Sequence, residues 1–168
     1  MSYANNAKDA ALDHESRLVE GDHQAIRLWL RLLTCTNLVE ARLRSRLRDD
    51  FATTLPRFDF MAQLERVPDG LTMGELSRRM MVSGGNISGI AAQLEGEGLI
   101  HREPVPENRR SHCVRLTERG HATFAEMAAQ HERWVESMLG HLSVKEVEQL
   151  MHLLRKVKSG VAAAEEVL

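Results

Sequence analysis

Between Ser83 and Gln93 lies a run whose side chains suit hydrogen bonding to another surface better than filling a core. Asn86 and Gln93 carry amides that can pair bidentately with the edge of an adenine in a major groove. Ser83 and the free N–H groups of a helix first turn suit a phosphate oxygen. Gly84, Gly85 and Gly89 each cost about 1 kcal/mol against alanine inside a helix. Stability does not account for them, whereas close backbone approach to a partner does. Ser88 falls among these small residues and is counted with them. Farther on, Arg109 and Arg110 stand in a polar turn, and a guanidinium on a thin ribbon fits the electronegative minor groove.

Other chemistries are poorly supplied. His121, His131 and His141 recur every ten residues, which does not keep them on one helical face, and no His-x-x-x-His or Cys-x-x-Cys pair occurs. No metal site or cofactor is therefore expected. No nucleophile–base set, phosphate-cradling loop or paired carboxylates stand out, so catalysis is not expected either. Cys35 lacks a neighbouring cation that would form a thiolate and reads as a buried, inert thiol, with Cys113 structural. Net charge is −2, yet residues 22–48 hold six arginines against two acids. That local excess suits contact with an anion, or simply a solvated helix face.

The elements that must position these groups follow from periodicity. The chain has 168 residues, 43% apolar and only seven aromatics, which favours helices over an all-β sandwich. Its longest apolar run is Val161–Ala164, too short to cross a bilayer, and its first residues lack the apolar core of a signal peptide. With two cysteines, the chain suits a reducing cytoplasm. Residues 1–21 read as a polar arm. A long helix begins at Asp22, with Ile26, Trp29, Leu30, Leu33, Val39, Leu43 and Leu47 on its apolar stripe. Thr53-Thr54-Leu55-Pro56 starts a second helix lined by Phe58, Met61, Leu64 and Val67. After an extended Leu71-Thr72 comes a two-turn helix, Met73 to Met80. Ser83 then caps a helix that buries Ile87, Ile90, Ala91 and Leu94, and Gly96 and Gly98 end it. Strands at 99–103 and 111–116 flank a hairpin tip at 104–110. Thr117 caps a long helix, and the Ser143/Glu146 capping box opens a last one carrying Val147, Leu150, Leu154 and Val157. The fold class is mainly α with a small β wing: a winged helix-turn-helix flanked by N- and C-terminal helices.

With those stretches in place, residues 55–124 resemble the MarR family of bacterial winged-helix regulators. The likeness is carried by Leu71-Thr72-Met73-Gly74-Glu75-Leu76-Ser77, Ser83 to Gly89, Leu94-Glu95-Gly96-Glu97-Gly98-Leu99-Ile100-His101-Arg102, and Arg109-Arg110 followed by Val114 to Gly120. One departure is Asn108, where the family's wing usually has an aspartate before the two arginines. The resemblance implies a homodimer on a pseudo-palindromic operator in double-stranded DNA. In it 55–116 would bind DNA, and 22–54 with 117–168 would form the dimerisation region. The apolar stripes of 22–48 and 143–158, more than one small domain can cover, argue for association independently.

The stretches Trp29 to Thr36 and Thr54 to Met61 resemble the branch controlling aromatic-acid breakdown. This implies a repressor released by a small aromatic carboxylate or its aroyl- or hydroxycinnamoyl-CoA thioester. Trp29, Phe58 and the arginines Arg42, Arg44, Arg46 and Arg48 are the expected ligand residues. On a helix the four arginines divide into the pairs Arg42/Arg46 and Arg44/Arg48. Two other readings stand beside this one: a winged-helix protein-interaction module without DNA binding, and a redox-responsive regulator using Cys35.

Overall fold

The computed structural model describes residues 23–105 and 108–165, excluding the side chains of 105, 108–111 and 165. The expected arm at 1–21 lies outside the described residues. Helix α1 runs from Gln24 to Phe51, entered through His23 with no side-chain cap. Helix α2 (Leu55–Glu65) has Pro56 in its first turn, where a missing N–H does no harm. Strand β1 (Leu71–Thr72), helix α3 (Met73–Met80) and helix α4 (Gly84–Gly96) follow. Strands β2 (Ile100–Val105) and β3 (Asn108–Leu116) form the wing, and helices α5 (Glu118–Leu139) and α6 (Val144–Glu165) close the chain. No described helix is long and apolar enough to cross a membrane.

The chain divides into two units, one up to His131 and the other from Glu132. In the first, α2 is the central helix: Leu55, Phe58, Phe60, Met61 and Leu64 are all buried. Leu43 and Leu47 of α1, Leu76 of α3, and Ile87, Ala91 and Leu94 of α4 complete the core with Leu99, Ile100, Val114, Leu116 and Met127. Each fully buried large side chain here contributes about 1.5–3 kcal/mol relative to exposure. The sheet is antiparallel in the order β1-β3-β2, with Leu71 opposite Val114 and Ile100 opposite Leu116. In the second unit every described residue of α6 is exposed, although Val147, Leu150, Met151, Leu154, Val157 and Val161 form an apolar stripe.

Local chemistry explains the element ends. Thr72 and Glu75 form a capping box at α3 that the sequence reading missed, the Thr72 N–H donating to the Glu75 carboxylate at 2.8 Å. These bonds hold the carboxyl of Glu75 below its usual range. The box at Ser143 and Glu146 forms as expected. Several expectations need correction. The hairpin is tighter than the 104–110 tip anticipated, because β2 is an edge strand that tolerates Pro104, and a register shift at Pro104/Val105 absorbs the irregularity. Helix α2 stops at Glu65, leaving Val67 half-buried in the following turn, and Ile90 is half-buried rather than buried. Cys35 is exposed, not buried, because it lies beside Thr34 rather than on the Leu43–Leu47 face that packs.

Candidate nucleic-acid interface

Helix α4 has two unlike faces. Ile87, Ala91 and Leu94 are buried, while Ser83, Gly84, Gly85, Asn86, Ser88, Gly89 and Gln93 are all exposed. Asn86 and Gln93 are seven residues apart, so they share one line of the helix about two turns long, with Gly89 between them. Neither amide has a hydrogen-bond partner among the described residues. Ser83 occupies the N-cap position with extended backbone but makes no side-chain cap bond, so the first-turn N–H groups stay open. The Ser88 hydroxyl instead donates to the Gly84 carbonyl of its own helix at 3.0 Å. A Cβ added at Gly84, Gly85 or Gly89 would meet nothing within 4 Å, so no contact among the described residues requires glycine there.

This exposed face is held rigidly. Before the helix, the Ser77 hydroxyl donates to the Val82 carbonyl at 2.6 Å and the Val82 N–H returns to the Ser77 carbonyl at 3.2 Å, fixing the turn from α3. Beyond it, Gly98 takes a left-handed φ of 69° to reverse the chain into β2. Arg102 of β2 donates through Nε to Glu95 at 2.8 Å, and the guanidinium holds the Glu95 carboxyl below its usual range. Arg57 of α2 pairs with Glu97, so both the wing and the core helix grip the C-terminal end of α4. The Arg57 Nε is buried with no partner among the described residues. On the wing, Arg115 pairs with Glu103 at 3.1 Å and donates to the Asp69 carbonyl at 2.9 Å. The side chains of Arg109 and Arg110 lie outside the described residues, though their backbone belongs to β3 at its hairpin end.

The expected ligand residues do not gather in one place. Phe58 is buried, stacked on His131 with ring centroids 4.6 Å apart and tilted against Phe124 at 5.4 Å. It lines a cavity of about 410 Å³ with Asp59, Gln63, Arg66, Arg79, Met80 and His131. Burial pushes the Asp59 carboxyl up, Glu40 adds to that and Arg44 opposes it. Burial lowers His131, favouring its neutral imidazole. Arg44 and Arg48 line a second cavity, at the junction of α1 and α2. Arg42 and Arg46 are exposed, and Trp29, 59% exposed, lines neither cavity. Sequence reading missed Asp59, Arg66, Arg79 and His131. The i, i+4, i+8 spacing of Phe58, Ala62 and Arg66 was the one available signal for the α2 wall. Among the described residues no group of three or more metal-ligating side chains could hold an ion.

Comparison with known proteins agrees with this architecture. The MarR family model matches residues 53–111. A MarR family transcriptional regulator of known structure from Silicibacter pomeroyi is 32% identical, with a TM-score of 0.71, covering 84% of this chain and 99% of that one. A MarR family regulator from Streptomyces coelicolor, solved in complex with DNA, superposes with a TM-score of 0.74 at 23% identity, covering 86% of this chain and 90% of that one. The transcriptional activatory protein BadR of Rhodopseudomonas palustris is 29% identical over 154 residues, 90% of this chain and 84% of BadR. The relatives are regulators and not enzymes. The chain belongs to the MarR family of winged-helix transcriptional regulators.

Proposed function

We propose that this chain is a cytoplasmic homodimeric repressor that binds a pseudo-palindromic operator in double-stranded DNA and is released by a small aromatic carboxylate or its coenzyme A thioester. The observation that carries the DNA half is the outer face of α4, where two amides unpartnered among the described residues and an uncapped N-terminus flank glycines that no contact among those residues requires. Residues 55–116 would serve as the DNA-binding domain, with 22–54 and 117–168 as the dimerisation region. The exposed stripe of α6 supports that assignment, since an isolated helix of this length gains its stability mainly by packing an apolar face. A second copy of the same stripe is a self-complementary cover.

The cavity beside Phe58 supports an aromatic effector. Phe58 and His131 offer a ring-stacking wall, and Arg66 and Arg79 offer cations for a carboxylate. Arg79 and Met80 belong to α3, so an occupant would touch the helix-turn-helix directly. A second reading of sign, activation, is favoured by the likeness to BadR, a transcriptional activatory protein.

Fluorescence anisotropy on DNA from upstream of the chain's own reading frame tests the proposal. Binding should be relieved by 4-hydroxycinnamate, and at lower concentration by its coenzyme A thioester. His131→Ala should blunt that relief while binding DNA normally. Failure of both compounds to release the DNA would reject the effector class without touching the DNA assignment.

A further inference from the structure

We propose that the junction of α1 and α2 is a binding site for the phosphate group of a soluble phosphorylated ligand, in a cavity that shares its Pro56 wall with the aromatic one. The cavity there has a volume of about 420 Å³ and is lined by Arg44, Arg48, Thr53, Thr54, Leu55 and Pro56. Three features converge on an anion. Arg44 and Arg48 stand one turn apart on α1 and both line this space. The N-terminus of α2 opens into it: Thr54 holds the N-cap position without a side-chain bond, and Pro56 has no N–H. The first-turn N–H groups of Leu55 and Arg57 therefore lack a side-chain cap at the positive end of the helix dipole. Thr53 is 9% exposed, yet its hydroxyl has no hydrogen-bond partner among the described residues. The hydroxyl is not itself sealed off, so within the cavity that Thr53 lines it stays open to a group that enters.

The arginines already have local carboxylate neighbours. Glu40 pairs with Arg44 along the helix, and Asp49 lies 3.7 Å from Arg48. Both pairs are largely exposed, so each is worth little, and a guanidinium keeps donors free beyond one carboxylate contact. A phosphate would meet both guanidiniums, the Thr53 hydroxyl and the helix N–H groups at once, and a dianion gains most from such a set. The concave shape favours a compact soluble ligand over the regular phosphate row of a duplex.

Calorimetric titration of the full-length chain with pyrophosphate tests the site. Saturable binding with one site per chain is expected, weakened about tenfold or more by Thr53→Val and abolished in the Arg44→Gln/Arg48→Gln double variant. Thermal melting and far-ultraviolet dichroism should be unchanged in both variants. No saturable binding to the wild type, or equal binding to wild type and variants, would overturn the proposal. The same proteins on duplex DNA separate the other phosphate source. If pyrophosphate does not bind and the double variant flattens the log K against log salt slope by about two, the arginines contact the DNA backbone and the soluble-ligand site is rejected.

Discussion

Gly120→Ala is expected to be among the most destabilising single substitutions in this chain. Gly120 sits in the first turn of α5, and a Cβ built on it would lie 2.0 Å from the carbonyl oxygen of Leu99 and 3.3 Å from the Leu116 side chain. The obstacle is backbone, which cannot rotate aside. It is also pinned, because the Thr117 N–H donates to that Leu99 carbonyl at 3.0 Å and the Thr117 hydroxyl donates to the Gly98 carbonyl at 2.8 Å. The Gly120 N–H returns to the Thr117 hydroxyl at 3.0 Å, closing the knot. Relief requires α5 to move away from the exit of α4, with a loss of about 3 kcal/mol or more. For a chain of this size that corresponds to a melting temperature lower by about 6–12 °C. Thermal unfolding followed by dichroism reads it directly, and an unchanged midpoint would show that α5 does not approach Leu99 this closely.

Leu150→Glu with Leu154→Glu should convert a dimer to single chains. The two leucines lie one turn apart on α6 and are 45% and 39% exposed. If a second copy covers them, four side chains lose burial in the symmetric pair. At 1.5 kcal/mol or more each, this weakens association by about 6 kcal/mol, more than ten-thousandfold in Kd. Sedimentation velocity at micromolar concentration should show twice the chain mass for the wild type and the chain mass for the variant. A wild type that sediments as one chain, or a variant that stays paired, would place the interface elsewhere.

Much of this was legible from residue spacing. The buried face of α4 follows from Ile87, Ala91 and Leu94 at helical intervals, and the exposed face follows by exclusion. The start of α6 is written in Ser143 and Glu146 because a capping box is a contact between near neighbours. Where expectation failed, contacts distant in the chain decided the outcome. His131 meets Phe58 only because α5 packs on α2. Which arginine pair borders a cavity depends on how α1 turns into α2 at Ala52, and periodicity leaves both pairs equivalent. A proline in the hairpin fits a strand end or an edge strand equally, and only the pairing of Pro104 with His112 in edge strand β2 decides between them.

The central claim is that the bare outer face of α4 is the surface that reads DNA. Its most direct test is operator affinity measured beside unfolding stability for the wild type, Asn86→Ala and Gly89→Ala. The wild type should prefer its own upstream DNA to a scrambled duplex. Asn86→Ala should lose about 1–3 kcal/mol of that preference, concentrated at one base pair per half-site. Gly89→Ala should be more stable to unfolding by up to about 1 kcal/mol, since its Cβ meets only open space, yet bind DNA more weakly. Opposite signs for stability and binding are what the account predicts. If the wild type shows no sequence preference, or both variants bind as tightly as the wild type, α4 does not read DNA and the account is contradicted.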